Sequence, residues 1–513
     1  MSNRPSGFRL SRKVLVVVGC IIIAAALAAF CLQACSTAGK TPAVATAAAP
    51  EAAGLDIDSI AVLPFKNLGS YEEQTYFEDA LTSLLISELQ KIGSLRVTSI
   101  ASAMHYRGLD QFLPVFCGEL DAAAFVGGSV IRDKESVNLT VWLSHGPTNL
   151  QLWSENYDRD TKDLLLLQSE VAQSIAKEIG AVITPREKAR LQAARSVDAE
   201  VLDHVFQGWH LNRNFSLENL EQAIVHFESA IDIDPGYAPA YVGLSEAQLF
   251  LGQLQQKPEL MEQSAAAVQK ALELDDTLPT AHAFQGNAKA IGWDFAGAEA
   301  EYKRTIELNP SVSEARVFYG QILGALDRHD EAIALTEEAH RIDPLNAWIT
   351  SNVPWAYLYA GRLEEALGKA LQVQDLYPDS WTTAWGLGMI YTLLEQYPEA
   401  FAALEKSMDL LGEEESMEVL PYLGYAYGKA GETEKALQVI TRMETESEKR
   451  YVPAYFYAVV YAGLEQKDQA LDYLEKAYQE HDFRFVFNMY WADCLCDDPR
   501  YMELRKKIGL PVI

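Results

Sequence analysis

The chain has 513 residues, of which 49% are hydrophobic and 22% carry a charge, so it is long enough for about three folded domains. Its 72 acidic residues outnumber 42 basic ones, and the formal net charge at pH 7 is −30. A surface this negative repels phosphate backbones, and we therefore expect no nucleic-acid partner for the main body.

Residues 1–35 have the pattern of an export signal or a membrane anchor. Basic residues within 4–13 precede the apolar run VLVVVGCIIIAAALAAFCL (14–32), which predicts that the following chain crosses a membrane. The run ends on LQAC (32–35), which resembles the lipobox of bacterial lipoproteins with Cys35 as the lipidated residue. An uncleaved transmembrane helix over about 14–32 is the alternative, because an apolar run of this length nearly spans a bilayer core. Both interpretations place the body in the bacterial cell envelope, facing the periplasm.

The segment 36–54, STAGKTPAVATAAAPEAAG, predicts a flexible tether because it has too little apolar bulk to fold. The chain contains six cysteines, and three of them, Cys20, Cys31 and Cys35, belong to the N-terminal signal. The remaining three show neither a disulfide framework nor zinc-ligand spacing. We therefore expect no metal site and no cofactor.

Residues 55–183 alternate short apolar runs with amphipathic segments, which indicates an α/β module. SIAVLPF (59–65) and LRVTSI (95–100) are typical of buried strands, and QTYFEDALTSLLISELQKI (74–92) between them has helical periodicity. Three segments joined by short polar turns, with alternation through the two later ones, predict an antiparallel meander, and a helix over 163–183 closes the module. The predicted order is β-α-β-α-β-β-β-α around a mixed sheet.

The same segments resemble the TolB amino-terminal-like (FlgO-like) domain, which precedes repeat arrays in many bacterial proteins. The likeness rests on pieces such as SIAVLPFKNLG, YFEDALTSLLISEL and AAAFVGGSVIRDKESVNLTVWL and extends over nearly all of 55–183. It departs mildly at ELDAAAFVGGSV, where the family often has ELGVDAVLEGSV. The resemblance implies an α/β fold and a place before a repeat array.

After a linker helix over 184–200, small and large residues recur every 34 residues through 201–484. Regular units begin at 279, 313, 347, 381, 417 and 451, with one step of 36, and two looser units precede them, which gives about eight. Small residues at positions 8 and 20 let two helices approach, glycine at position 15 suits a turn, and proline at position 32 ends the second helix. This is the tetratricopeptide pattern, and it predicts an all-α superhelical solenoid with a capping helix over 485–513.

In such a solenoid the first helix of each unit lines an inner groove. Aromatic residues dominate the groove positions from the unit at 347 onward, and aromatic anchors carry much of the energy at protein interfaces. The predicted partner-binding residues are Trp348, Asn352, Trp355, Tyr359, Trp385, Met389, Tyr422, Tyr425 and Tyr455. The alternative interpretation is that these side chains simply pack against neighbouring helices.

The sequence contains no nucleophile elbow, phosphate-binding loop or HExxH motif, and the S-x-x-K match SIAK (174–177) lacks partner motifs. We therefore predict a membrane-tethered scaffold without catalytic activity that binds protein partners through the groove. Groove positions 5 and 9 carry no Lys or Arg in the units from 347 onward, which favours an apolar peptide over an acidic tail. The alternative is a sensor subunit whose α/β module binds a small ligand or an envelope component and signals to a partner enzyme or transport complex.

Overall fold

The structure is a computed structural model, and it describes residues 55, 57–69, 75–107, 118–133, 136–213, 216–255, 257–412, 415–482, 484 and 489–512. These residues all belong to one compact unit, Glu51–Ile513. The predicted signal or anchor (1–35), its Cys35 and the predicted tether (36–54) lie outside the described residues. Among the helices that the structure describes, none has the length and apolar character needed to span a membrane.

The N-terminal part contains a six-stranded mixed sheet. Its strands are β1 (Ser59–Val62), β2 (Lys66–Asn67), β3 (Arg96–Val97), β4 (Ala124–Arg132), β5 (Ser136–His145) and β6 (Leu150–Asp160). The strand order is β3-β1-β4-β5-β6, with β2 paired to β4. Strands β3, β1 and β4 are parallel, whereas β4, β5 and β6 form the predicted antiparallel meander. The predicted mixed sheet and element order are confirmed, and only the two-residue β2 is too short to leave a sequence pattern.

The helices of this part are α1 (Thr75–Leu89), α2 (Ile100–Met104), α3 (Leu164–Glu178) and α4 (Pro185–Gln192). Their apolar faces share one core with the sheet, in which Leu85 and Val171 lie against strand residues such as Ile60 and Leu139. Helix α3 ends before the predicted residue 183, because Gly180 adopts the left-handed conformation with φ of +69°.

Eight helix pairs follow in the described part of the chain, as the 34-residue period predicts. They are α5 (Ala199–Arg213) with α6 (Leu217–Ile233), α7 (Ala238–Gln255) with α8 (Pro258–Leu274), α9 (Pro279–Ile291) with α10 (Phe295–Leu308), α11 (Ser313–Ala325) with α12 (His329–Ile342), α13 (Ala347–Tyr359) with α14 (Leu363–Leu376), α15 (Trp381–Leu393) with α16 (Tyr397–Leu411), α17 (Leu420–Lys429) with α18 (Thr433–Ser447), and α19 (Ala454–Gly463) with α20 (Lys467–Gln479). Each pair contacts the next, so apolar faces that one hairpin leaves open are buried by its neighbour.

Every regular unit turns through position 15 in the left-handed backbone region. The φ angle is +69° at Gly361 and +78° at Gly431, and it lies between +57° and +63° at the four other equivalents, Trp293, Asp327, Glu395 and Glu465. In all six units the N–H of position 16 donates to the carbonyl of position 11, at 2.8 to 3.0 Å. This bond closes the first helix as a Schellman-type cap. The repeat therefore imposes the turn geometry, and glycine only reduces its strain.

The α/β module packs onto the first pair and onto loops between later pairs. The Arg132 guanidinium donates two parallel hydrogen bonds to the carboxylate of Asp203 on α5, at 2.8 and 2.9 Å. At the outer edge of β3, the Val97 N–H donates to Ser311 Oγ at 3.2 Å. These contacts hold the sheet against the array at two separate places.

The end of the chain folds back onto the array. A 3-10 helix (Met489–Leu495) and α21 (Pro499–Lys507) occupy the region where the sequence predicts a capping helix. The Arg505 guanidinium lies 3.1 Å from the Asp327 carboxylate, and the rings of Trp293 and His481 stack with centroids 3.9 Å apart. The last unit and the tail thus contact the turns of the units that begin at 279 and 313.

Candidate partner-binding surface

The nine predicted groove residues lie on the first helices of four consecutive units, α13, α15, α17 and α19. Because these helices stack side by side, their rings contact one another from unit to unit. Trp355 packs edge to face on Trp385 with ring centroids 4.9 Å apart, and Trp385 packs on Tyr422 at 5.0 Å. The structure therefore brings Tyr359, Trp355, Trp385 and Tyr422 together in one row of rings, and the other predicted aromatics lie on the same four helices.

The upstream part of the row reaches the surface. Trp348 is 38% exposed, and Asn352, Trp355, Tyr359 and Trp385 are half-buried. We call these five residues the inner aromatic surface. The Tyr359 ring lies 6.2 Å from that of Trp355, and burial raises the pKa of its hydroxyl, so the side chain is neutral at physiological pH. An uncharged, ring-rich face of this kind is suited to apolar side chains.

The downstream part of the row is buried. Met389, Tyr422, Tyr425 and Tyr455 are each exposed by 4% or less. The indole N–H of Trp491, in the C-terminal 3-10 helix, donates to the Tyr455 hydroxyl at 2.8 Å. Burial raises the pKa of Tyr422 and Tyr455 well above the ordinary value. In this structure these four residues pack within their own chain, as the alternative interpretation of the aromatics holds.

Polar groups stand beside the indoles of the inner aromatic surface. The Gln321 amide donates to Asn352 Oδ1 at 2.9 Å, and the Asn352 amide donates to the Trp348 carbonyl at 2.8 Å. The indole N–H of Trp385 is shielded from solvent and finds no acceptor among the described residues. A buried donor of this type is satisfied when a bound group or a water supplies the acceptor.

The cavity beside Trp355 and Tyr359 is too small for a ligand. Its volume is about 10 Å³, which is room for about one water molecule. It lies between α11 and α13 and is also lined by Gln321 and Asn352. A partner would therefore lie across the inner aromatic surface and would not enter an enclosed pocket.

Comparison with known families agrees with this architecture. Residues 294–347 and 355–410 match the family described as tetratricopeptide repeat. The first stretch contains α10, α11 and α12, and the second contains α14, α15 and nearly all of α16. The part of the helical array that these stretches cover is built of tetratricopeptide repeats.

Two curated relatives match parts of this chain. It is 30% identical over 247 residues to "Putative adenylate cyclase 3" of Rhizobium meliloti (strain 1021), a match that covers 48% of this chain and 42% of that protein. It is 23% identical over 215 residues to "Transcriptional regulator HilA" of Salmonella typhimurium, covering 41% of this chain and 38% of that protein. The chain thus spans less than half the length of these relatives.

Among solved structures, the chain is similar to YrrB, described as a TPR protein with an unusual peptide-binding site. The identity is 21%, the match covers 36% of this chain and 91% of that one, and the TM-score is 0.26.

Sequence reasoning missed two residues that contact the inner aromatic surface from the preceding tetratricopeptide unit. Phe318 packs on Trp348 with ring centroids 5.1 Å apart, and Gln321 bonds Asn352. They stand at positions 6 and 9 of the unit that begins at 313, which are groove positions. The same position rule, applied one unit earlier, identifies both residues.

A carboxyl group lies near this edge of the surface. Glu314 stands at position 2 of the same unit, and burial together with the neighbouring Asp343 carboxylate raises its pKa to about 7. It is therefore largely uncharged below neutral pH, so it adds little negative charge to the groove there.

Proposed function

We propose that the tetratricopeptide array binds a short apolar segment of a protein partner through the inner aromatic surface, and that the chain acts as a scaffold without chemistry of its own. The observation that carries this proposal is the ring contact between Trp355 on α13 and Trp385 on α15, together with Trp348 on α13, which is 38% exposed. Large, rigid aromatic side chains give contact area at low entropic cost, which makes them frequent anchors at interfaces.

The chemistry of the surface defines the partner segment. Indole and phenol rings favour apolar side chains, while the amides of Asn352 and Gln321 can bond a peptide backbone. The surface has no Lys or Arg among its five residues, so an acidic tail would lose its hydration without gaining an ion pair. An extended or one-turn helical segment with two or three apolar residues fits best.

We further propose that the scaffold acts at the bacterial cell envelope on the periplasmic side. The basic and apolar pattern of residues 4–32 and the LQAC sequence before residue 36 support this location. Metabolic labelling with a palmitate analogue distinguishes the two anchors. Label that is lost in Cys35→Ser supports lipidation, whereas a membrane-bound protein without label supports a transmembrane helix. A protein that fractionates with the cytosol would refute the envelope location.

Partner capture with three baits tests the role of the surface. The wild type, the double variant Trp348→Ala/Trp355→Ala and the control Leu371→Ala/Leu376→Ala would be crosslinked in envelope extracts and analysed by quantitative mass spectrometry. The control leucines are 40% and 58% exposed on α14, a second helix of its pair. We expect a partner whose recovery falls at least about tenfold with the tryptophan variant alone, as for a loss of hot-spot residues.

The three baits would also be compared by thermal unfolding, because Trp355 is half-buried and its truncation costs stability. Identical partner lists from three folded baits would refute the proposed surface.

A further inference from the structure

The sheet of the α/β module has two edges, β3 and β6, and among the described residues a hydrogen bond ties the β3 edge to the array. At the β3 edge, the Val97 N–H that points away from β1 donates to Ser311 Oγ of the array at 3.2 Å. At the other edge, β6 pairs with β5 and with no further strand of the described residues. An unpaired edge is a template for an added strand unless the chain blocks it.

Strand β6 is long and regular enough to serve as such a template. It runs over eleven residues, and eight of them are exposed. Its pairing with β5 continues without a break from Leu143 opposite Trp153 to Ser136 opposite Asp160. Along an antiparallel strand, alternate residues direct their N–H and C=O groups away from the existing partner. Blocking devices such as proline or a bulge are absent from the stretch 153–160.

A groove on α3 borders this edge. It is shallow and open to solvent, with a volume of about 290 Å³, and its lining residues form one stripe of the helix: Leu166, Glu170, Gln173, Ser174 and Lys177. The stripe is tied to β6, because Arg159 on β6 lies 3.0 Å from the Glu170 carboxylate. A strand added beside β6 would therefore place side chains against α3. Peptide-binding domains that use β-strand addition combine an edge strand with pockets for alternate side chains in this way.

The charges of the strand and groove define the occupant. Strand β6 carries Glu155, Asp158 and Asp160 against the single base Arg159, and Arg159 is already paired with Glu170. A second copy of β6 would bring acidic residues opposite acidic residues, which is unfavourable across strands. Asp160 already pairs with Lys162 at 3.0 Å, and an extended segment with Lys or Arg side chains gains from Glu155 and Asp158. The 41% exposed side chain of Leu166 offers an apolar contact.

We propose that β6 and the α3 groove form a docking site for an extended, basic strand of a protein partner, which joins the sheet as its seventh strand. This site is separate from the inner aromatic surface, and it gives the scaffold a second point of attachment. It does not depend on the proposed role of the array.

The probe is a fluorescein-labelled, end-blocked peptide of nine alternating Lys and Val residues. Its matched control has the same sequence with N-methyl groups on alternate residues, which removes strand hydrogen bonds and keeps the charge. With the full-length chain, we expect the unmethylated peptide to bind at least about tenfold more tightly, the effect of losing one or two hydrogen bonds. Hydrogen exchange should show new protection at residues 150–160.

Two charge-reversal variants locate the site. Glu170→Lys should weaken binding of the unmethylated peptide by about tenfold or more, because it adds a base beside the Lys side chains of the peptide and leaves Arg159 without its acidic partner. Glu434→Lys changes the same charge at an exposed position of α18 and should leave binding within about twofold, because charges on a distant surface are screened. Equal binding of the two peptides, equal effects of the two variants, protection outside β6 and α3, or no binding would each overturn the proposal.

Discussion

The first helices of the last two units cross at a pair of glycines, and this contact yields a sharp prediction. Gly428 on α17 and Gly463 on α19 bring the two backbones together. A methyl group on Gly428 would lie 2.6 Å from the carbonyl oxygen of Gly463 and 2.7 Å from the amide nitrogen of Leu464. These neighbours are backbone atoms, which cannot rotate away as a side chain can. Gly428→Ala can only be accommodated if the two helices move apart.

Two opposing effects set the magnitude. Replacing glycine by alanine inside a helix stabilises it by about 1 kcal/mol. Forcing a methyl group into closed packing costs about 1–3 kcal/mol, and rigid backbone neighbours place this site at the upper end. We therefore expect Gly428→Ala to lower the free energy of unfolding by about 2 kcal/mol.

The chain provides a matched control at Gly368, which lies in α14, where an added methyl group would meet no atom within 4 Å. Gly368→Ala should raise the free energy of unfolding by about 1 kcal/mol. Thermal and urea unfolding of both variants measure the difference of about 3 kcal/mol, which corresponds to a shift of several degrees in Tm. If both substitutions change stability in the same direction, the close packing of α17 on α19 is wrong.

Three further predictions follow from the turns, a buried acid and the module contact. Glu395→Gly should raise the free energy of unfolding by about 1 kcal/mol, because glycine adopts the left-handed conformation without strain. Gly361→Ala should lower it by a similar amount. A Glu395→Gly variant with the same free energy of unfolding in urea as the wild type would contradict this. Glu314 has a folded pKa of about 7, above its ordinary 4.5, so the folded state retains a proton that the unfolded state loses, and stability falls as pH rises between these values. Glu314→Gln should therefore raise Tm over the wild type at pH 8 more than at pH 5, and an equal difference at both pH values would count against it. Arg132→Lys should cost about 1–2 kcal/mol because lysine cannot form the two parallel bonds to Asp203, and this loss should shrink in an Asp203→Asn background.

The repeat pattern predicts the array well because its cause is local. Small residues must recur where two helices touch, and the sequence therefore marks positions 8 and 20 in unit after unit. At Gly388, for example, an added methyl group would lie 2.5 Å from Leu404 Cγ of the paired helix. The left-handed turn is less visible, because hydrogen bonds across the turn enforce it at Trp293 and Glu395 as well as at glycine. Glycine alone would have located only two of the six turns.

The packing between distant parts of the chain has no such signature. The module shares an apolar core with the first helix pair, where the rings of Phe77 and Phe206 lie 6.0 Å apart. It is also held by polar contacts, among them Arg132 with Asp203 and the hydrogen bond from Ser102 to the buried carboxylate of Asp343. Each contact joins residues that lie far apart in sequence, and none belongs to a periodic pattern. One sequence cannot indicate such pairs, because any exposed arginine and aspartate would look the same. For the same reason, the sequence could not indicate that Tyr422 and Tyr455 are buried whereas Trp348 is exposed.

The glycine crossing offers a physical reason for that division of the aromatic row. Gly428 and Gly463 occupy positions 12 and 13 of their units, on the inner side of the first helices, and let α17 and α19 approach closely. The equivalent of Gly428 is Leu358 in α13 and Thr392 in α15, so the upstream first helices cannot approach each other as closely at this position. Tight approach draws inner side chains together and buries them, whereas bulk at position 12 keeps the helices apart. On this argument, Gly428→Ala should also expose Tyr422 and Tyr425, which acrylamide quenching of tyrosine and tryptophan fluorescence would detect. If the variant is destabilised but quenching is unchanged, the contact between the glycines is not the cause of the burial of Tyr422 and Tyr425.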